Sequence, residues 1–120
     1  YKPDGAVLEF TKGYGDKFAL ETDPFMAASG ADILITDTWT SMGEEAEKEE
    51  RKKIFKDYQI NRQLLAAANA GAMVQHCLPA YRGQEITEEV FEEHADEIFN
   101  EAENRLHAQK AVMVKLMKKD

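Results

Sequence analysis

A lone cysteine stands in His76-Cys77-Leu78-Pro79, directly after the run Ala72-Met73-Val74-Gln75, which reads as a buried strand. A second such run, Ile33-Leu34-Ile35-Thr36, leads into Asp37-Thr38-Trp39-Thr40-Ser41-Met42-Gly43, with a carboxylate, hydroxyls and a glycine turn. In open α/β sheets, ligands collect beyond the carboxyl ends of strands. The two polar clusters therefore point to one crevice. A carboxylate at one strand end facing a thiol at another can orient an amine and move its proton. The alternative for Cys77 is a small apolar filler, since free cysteine packs as a hydrophobe. For Asp37 it is a plain turn residue.

Other chemistries find less support. His76 and Cys77 are adjacent on a predicted strand and would point to opposite faces, while His94 and His107 have no ligand spacing, so no metal site is expected. Neither a nucleophile elbow nor a glycine-rich phosphate loop occurs. Arg105, placed near a predicted helix start, could hold phosphate through its guanidinium fork, or else form a surface ion pair.

These residues need elements to carry them. Pro3 opens a predicted short helix through Ala6–Phe10, ended by Gly13 and Gly15, and Lys17–Glu21 reads as a strand. Asp23-Pro24 is an N-cap followed by proline at the first helical position, and Gly30 closes that helix before the Ile33 strand. Asn61 caps a helix over Arg62–Ala68, and Gly71 releases the chain into the strand that ends at Cys77. Thr87 caps a short acidic helix. Ile98-Phe99 reads as a brief strand, and Asn100 with Glu103 forms a capping box for a last helix carrying Leu106, Val112, Met113, Leu116 and Met117, with Lys115, Lys118 and Lys119 at its end. Alternating strands and helices predict an α/β fold: part of a doubly wound, Rossmann-like parallel sheet with flanking helices.

Glu44–Lys53 is almost wholly charged, with Glu44/Lys48, Glu47/Arg51 and Glu49/Lys53 spaced as helical ion pairs. It reads either as a solvated helical face or, because it leaves directly from Ser41-Met42-Gly43, as a mobile flap.

At 120 residues the chain fits one small domain, or a piece of a larger protein, as its start at Tyr1 suggests. The net charge of −8 and pI of about 4.9 argue against a broad nucleic-acid-binding face. No apolar run is long enough for a membrane span, and one cysteine fits a reducing compartment, with the cytoplasm as the default.

Three ordered motifs carry a family resemblance: Asp37-Thr38-Trp39-Thr40-Ser41-Met42-Gly43, His76-Cys77-Leu78-Pro79 and Glu103-Asn104-Arg105-Leu106-His107-Ala108. Together with the charged Glu44–Lys53 stretch and Arg82-Gly83-Gln84-Glu85, they resemble the carboxyl-terminal half of the ornithine carbamoyltransferases over essentially the whole chain. The resemblance implies that residues 1–120 are the carboxyl-terminal part of an ornithine-binding domain. The last helix would then return to an amino-terminal domain that is not in this chain. It further implies transfer of a carbamoyl group from carbamoyl phosphate to ornithine, with no cofactor or metal. Asp37, Ser41 and Met42 would contact ornithine, Cys77 and Leu78 would lie against the carbamoyl group, and Arg105 would bind carbamoyl phosphate. Cys77 and Asp37 would be the catalytic pair, and the family's assembly is a homotrimer or a higher multiple. A putrescine or related amine carbamoyltransferase, or a non-catalytic α/β module, are the alternatives. The phosphate cradle of the amino-terminal domain has no counterpart here, so the chain alone is expected to be inactive.

Overall fold

A computed structural model describes residues 1–40, 43 and 45–118. The elements run α1 (Gly5–Thr11), α2 (Pro24–Ala28), β1 (Ile33–Thr36), α3 (Lys48–Phe55), α4 (Arg62–Ala67), β2 (Met73–His76), α5 (Glu88–Glu93) and α6 (Ala95–Met117), with 3₁₀ turns at Lys12–Lys17, Glu45–Glu47 and Lys56–Tyr58. The strands β1 and β2 pair in parallel, with Ile33 opposite Met73 and Thr36 opposite His76. This is the expected parallel α/β arrangement.

Capping chemistry starts the helices where the side chains dictate. Asp23 Oδ1 accepts from the N–H groups of Phe25 (2.8 Å) and Met26 (3.3 Å), Asn61 Oδ1 from Leu64 N–H (2.9 Å), and Thr87 Oγ1 from Val90 N–H (3.4 Å). Each such cap contributes about 1 kcal/mol. Gly30 and Gly71 take φ of 71° and 81°, left-handed values that let the chain turn sharply into each strand.

Several expectations are corrected. Lys17–Glu21 is not a strand: residues 12–17 form a 3₁₀ turn broken at Gly15, and 18–21 are exposed without a pairing partner among the described residues. Ile98-Phe99 lies inside α6, which begins at Ala95 after His94, so Asn100 and Glu103 are interior helical residues and no capping box forms there. Fully buried Ile98 packs as a core residue of a helix lying against β2, not as a strand residue. The helix α1 is capped by Asp4 rather than opened by Pro3. In α3, Glu47 pairs with Arg51 as expected, but Glu49 pairs with Lys52 at i,i+3 instead of Lys53. The Glu44/Lys48 pair and Lys119 lie outside the described residues.

The core gathers Leu34 from β1, Val74 from β2, Ile60, Leu64, Ile86, Val90, Phe91 and Ile98. Burying each large aliphatic side chain contributes about 1.5–3 kcal/mol. The other face of the sheet carries Ile33, Ile35 and Met73, all exposed, and the distal half of α6 exposes Val112, Met113, Leu116 and Met117.

One polar contact locks α6 onto the sheet. The outward Val74 N–H donates to Glu97 Oε2 at 2.9 Å, and the same oxygen lies 3.0 Å from His94 Nδ1. Partial burial raises the Glu97 carboxyl, but the hydrogen bonds from Val74 and His94 outweigh it, so its pKa lies below the ordinary carboxylate value. A depressed folded pKa gives stability that is present above the unfolded value and lost as pH falls through the folded one. Glu97→Ala should therefore lower unfolding stability at pH 7 by about 1.5–3 kcal/mol, the range for a hydrogen bond to a charged group. In denaturant titrations the gap between the two proteins should narrow below the ordinary carboxylate pKa.

Candidate active site

The parallel register builds the site. Because Thr36 and His76 are opposite partners, the residues that follow them, Asp37 and Cys77, emerge side by side at the same sheet end. Ligand atoms of Asp37, His76 and Cys77 lie within 4.8 Å of one another. That overturns the expectation that His76 and Cys77 point apart. The strand ends at His76, so the alternation no longer governs Cys77.

His76 faces inward with Val74 and is fully buried. Its Nδ1 accepts the Leu78 N–H at 3.0 Å, so its Nε2 carries the proton and donates to Glu85 Oε1 at 3.1 Å. Both nitrogens are thereby engaged, and a metal held by Asp37, His76 and Cys77 would have to displace one of these bonds. Glu85, also fully buried, accepts the Tyr81 N–H on the same oxygen at 2.5 Å. Leu78 has φ of 56° and precedes a cis bond to Pro79. Left-handed backbone costs a non-glycine residue about 1–2 kcal/mol, and the bond to His76 holds it there.

The Cys77 thiol is pushed up from its ordinary pKa, first by desolvation, then by its hydrogen bond to the Asp37 carboxylate and the negative charges of Asp37 and Glu101. Cys77 therefore stays a protonated thiol at neutral pH. It is a hydrogen-bond donor rather than a thiolate nucleophile. Asp37 Oδ1 also accepts the Thr38 N–H at 2.7 Å, which fixes the carboxylate on its own turn.

The structure thus brings Asp37, Cys77 and Leu78 together. Arg105 is not near a helix start: it sits well inside α6 and is exposed, one turn beyond Glu101 and so on the same helix face. It has no helix N-terminus to assist it. Ser41 and Met42 lie outside the described residues. Two residues were missed, Glu85 and Glu101. Glu85 had a signal in the sequence, because a histidine on the inward face beside Val74 requires a buried polar partner. Glu101 had none.

An α/β domain with a carboxylate and a thiol side by side at the ends of adjacent parallel strands has the arrangement of the ligand-binding end of a doubly wound sheet. Residues 1–116 match the family described as aspartate/ornithine carbamoyltransferase, Asp/Orn binding domain, and the chain belongs to that family. An ornithine carbamoyltransferase of a Nitratiruptor species is 53% identical over 99% of this chain and 40% of its own length. That of Gloeobacter violaceus is 54% identical over 98% and 39%. The crystal structure of the anabolic ornithine carbamoyltransferase of Campylobacter jejuni superposes with a TM-score of 0.90 at 46% identity, covering 97% of this chain and 40% of that one. The chain spans about 40% of the length of these relatives.

Asp37→Asn should lower the Cys77 pKa, since it removes a charge that disfavours the thiolate. The rate of iodoacetamide alkylation against pH, read on the sole cysteine, measures it.

Proposed function

We propose that this chain is the ornithine-binding part of an ornithine carbamoyltransferase, which moves the carbamoyl group of carbamoyl phosphate to the side-chain amine of ornithine. The observation carrying this reading is the in-register placement of Asp37 beside Cys77, in a chain half identical to ornithine carbamoyltransferases. The ornithine amine, oriented by Asp37 and by Ser41 and Met42, attacks the carbamoyl carbon with its lone pair. A C–N bond forms, the C–O bond to phosphate breaks with its electron pair leaving on the phosphate oxygen, and the proton lost by the amine passes to the departing phosphate. The protonated Cys77 thiol and the Leu78 backbone lie against the carbamoyl group, and Arg105 takes the carbamoyl phosphate. Direct displacement of this kind needs positioning and charge stabilisation rather than a cofactor or metal.

On this reading residues 1–120 form the carboxyl-terminal part of the ornithine-binding domain. The bare sheet face (Ile33, Ile35, Met73) and the exposed apolar side of α6 would then be covered by the rest of the enzyme, which assembles as a trimer or a multiple of one in the cytoplasm. No helix among the described residues is long and apolar enough to cross a membrane.

A solved acetylornithine transcarbamylase, with acetylcitrulline bound, is 26% identical with a TM-score of 0.76, so the same fold serves a related amine in that protein. The test is product formation from carbamoyl phosphate by the full-length protein, with ornithine, acetylornithine and putrescine in parallel. Ornithine should give the highest kcat/KM; a higher value for either rival amine would overturn the assignment. The 120-residue chain alone should form no measurable citrulline.

Cys77→Ala in the full-length protein should lower kcat about a hundredfold, the lower end of what a positioned proton-transfer group contributes. Its thermal midpoint should stay close to the parent value, since Cys77 is exposed. Unchanged turnover would return Cys77 to a packing role.

A further inference from the structure

The helix α3 lies outside the cluster of Asp37, His76 and Cys77, yet one of its side chains reaches the backbone that presents Asp37. Arg51 Nη1 donates to the Trp39 carbonyl at 3.2 Å, twelve residues back along the chain. Its Nε donates to Glu47 Oε2 at 3.0 Å, and its guanidinium lies over the Tyr1 ring, 5.0 Å from the centroid. The Arg51 side chain is 17% exposed, against 52% for Glu47. For a residue in so highly charged a helix, that is partial burial.

The contact falls where the backbone needs it. Asp37, Thr38, Trp39 and Thr40 leave the strand β1 and have no ladder partners. Within the turn, Thr38 N–H bonds Asp37 Oδ1 and Thr38 Oγ1 bonds the Thr40 carbonyl at 3.2 Å. Both bonds are internal and fix the turn's shape without tying it to anything else. Arg51 supplies an external tie. Rings complete the seat: Trp39 and Tyr1 each pack on Phe55 of the same helix, at centroid distances of 6.2 and 5.1 Å.

We propose that Arg51 is a positioning residue that acts through the Trp39 carbonyl to hold the Asp37 turn against Cys77. This rests on the carbamoyltransferase reading only for what the pair is used for; the coupling itself is a property of the chain. The planar guanidinium suits the task, because it can donate to Glu47 and to Trp39 from one rigid group while its face covers Tyr1.

The chain has a single cysteine and a single tryptophan, so both ends of the coupling can be read directly. The groups facing the Cys77 thiol are Asp37 from the end of β1, Glu101 from α6 and the neighbouring neutral His76. In the full 120-residue chain, Arg51→Met keeps the stem and removes every donor. If Arg51 positions Asp37, the carboxylate moves away and the Cys77 alkylation profile shifts to lower pH, by roughly half a unit. Loss of the arginine's charge alone would act the other way, since removing a cation raises a thiol pKa. The direction of the shift therefore separates positioning from plain electrostatics.

Trp39 emission should move to longer wavelength in the same variant. In an Asp37→Asn background, Arg51→Met should produce no further shift of the Cys77 profile. Arg51→Gln, polar and compatible with a helix, is the second variant and should shift the profile the same way. Far-ultraviolet circular dichroism identifies which variants are folded. A Cys77 profile that stays in place or moves upward in a folded variant, while Asp37→Asn alone moves it down, overturns the proposal. Neither readout involves ornithine or carbamoyl phosphate, so this result and the substrate test can fail independently.

Discussion

The parallel register of β1 against β2 is the constraint on which the remaining structure depends. Side chains alternate along a strand, so a slip of one residue would turn every one of them to the other face. In the observed register Leu34, Val74 and His76 point inward, Val74 N–H meets Glu97 on α6, and Thr36 stands opposite His76. A slip would expose His76, break its bond to Glu85 and part Asp37 from Cys77. The apolar core thus bears on the chemistry: Leu34 of β1 and Val74 of β2 are opposite partners that share the core, and the register that pairs them brings the two strand ends level.

From this follows a polar chain that runs from the core to the surface. Glu85 and His76 are wholly buried, and burying such groups is costly unless they are bonded. They are bonded to each other and to the backbone at Leu78 and Tyr81, so the pair fixes the loop after β2. The Glu85 carbonyl in turn accepts the Ile60 N–H at 2.9 Å, tying that loop to the start of α4. Cys77 is carried on a frame held at several points. Asp37 is carried on a short turn whose shape is local, which is why an outside contact from α3 matters more there.

Much of this was legible in the residues. The Asp23-Pro24, Asn61 and Thr87 starts, both strands and the pairing of a carboxylate with a thiol follow from capping chemistry, apolar runs and the strand-end rule. Failures came where short-range pattern met long-range packing. Ile98-Phe99 has strand-like composition, but α6 needs Ile98 as a core contact, and a helix already running gives Asn100 no orphan N–H to cap. The same run of helix from Ala95 puts Arg105 in its interior rather than near its start. Lys17–Glu21 has a strand-like apolar centre but pairs with no strand among the described residues. The Glu85 and Arg51 contacts join residues 9 and 12 apart through folded geometry, and local periodicity carries no trace of them.

The charge distribution bears on how the proposed reaction divides its labour. Asp37 and Glu101 both lie near the Cys77 thiol, and their joint effect is to disfavour a further negative charge there. Such surroundings suit a group that arrives as an ammonium and must be held while it gives up a proton. They are unfavourable to a phosphate. On the same helix face as Glu101, Arg105 is an exposed cation a turn further on, and a single guanidinium offsets little of the charge of a phosphate and two carboxylates. In the proposed reaction a site built this way would hold the amine on its own surface and would need most of the positive charge for the departing phosphate to come from elsewhere. That is the electrostatic ground for reading this chain as one side of a two-sided site, independent of its length relative to its family.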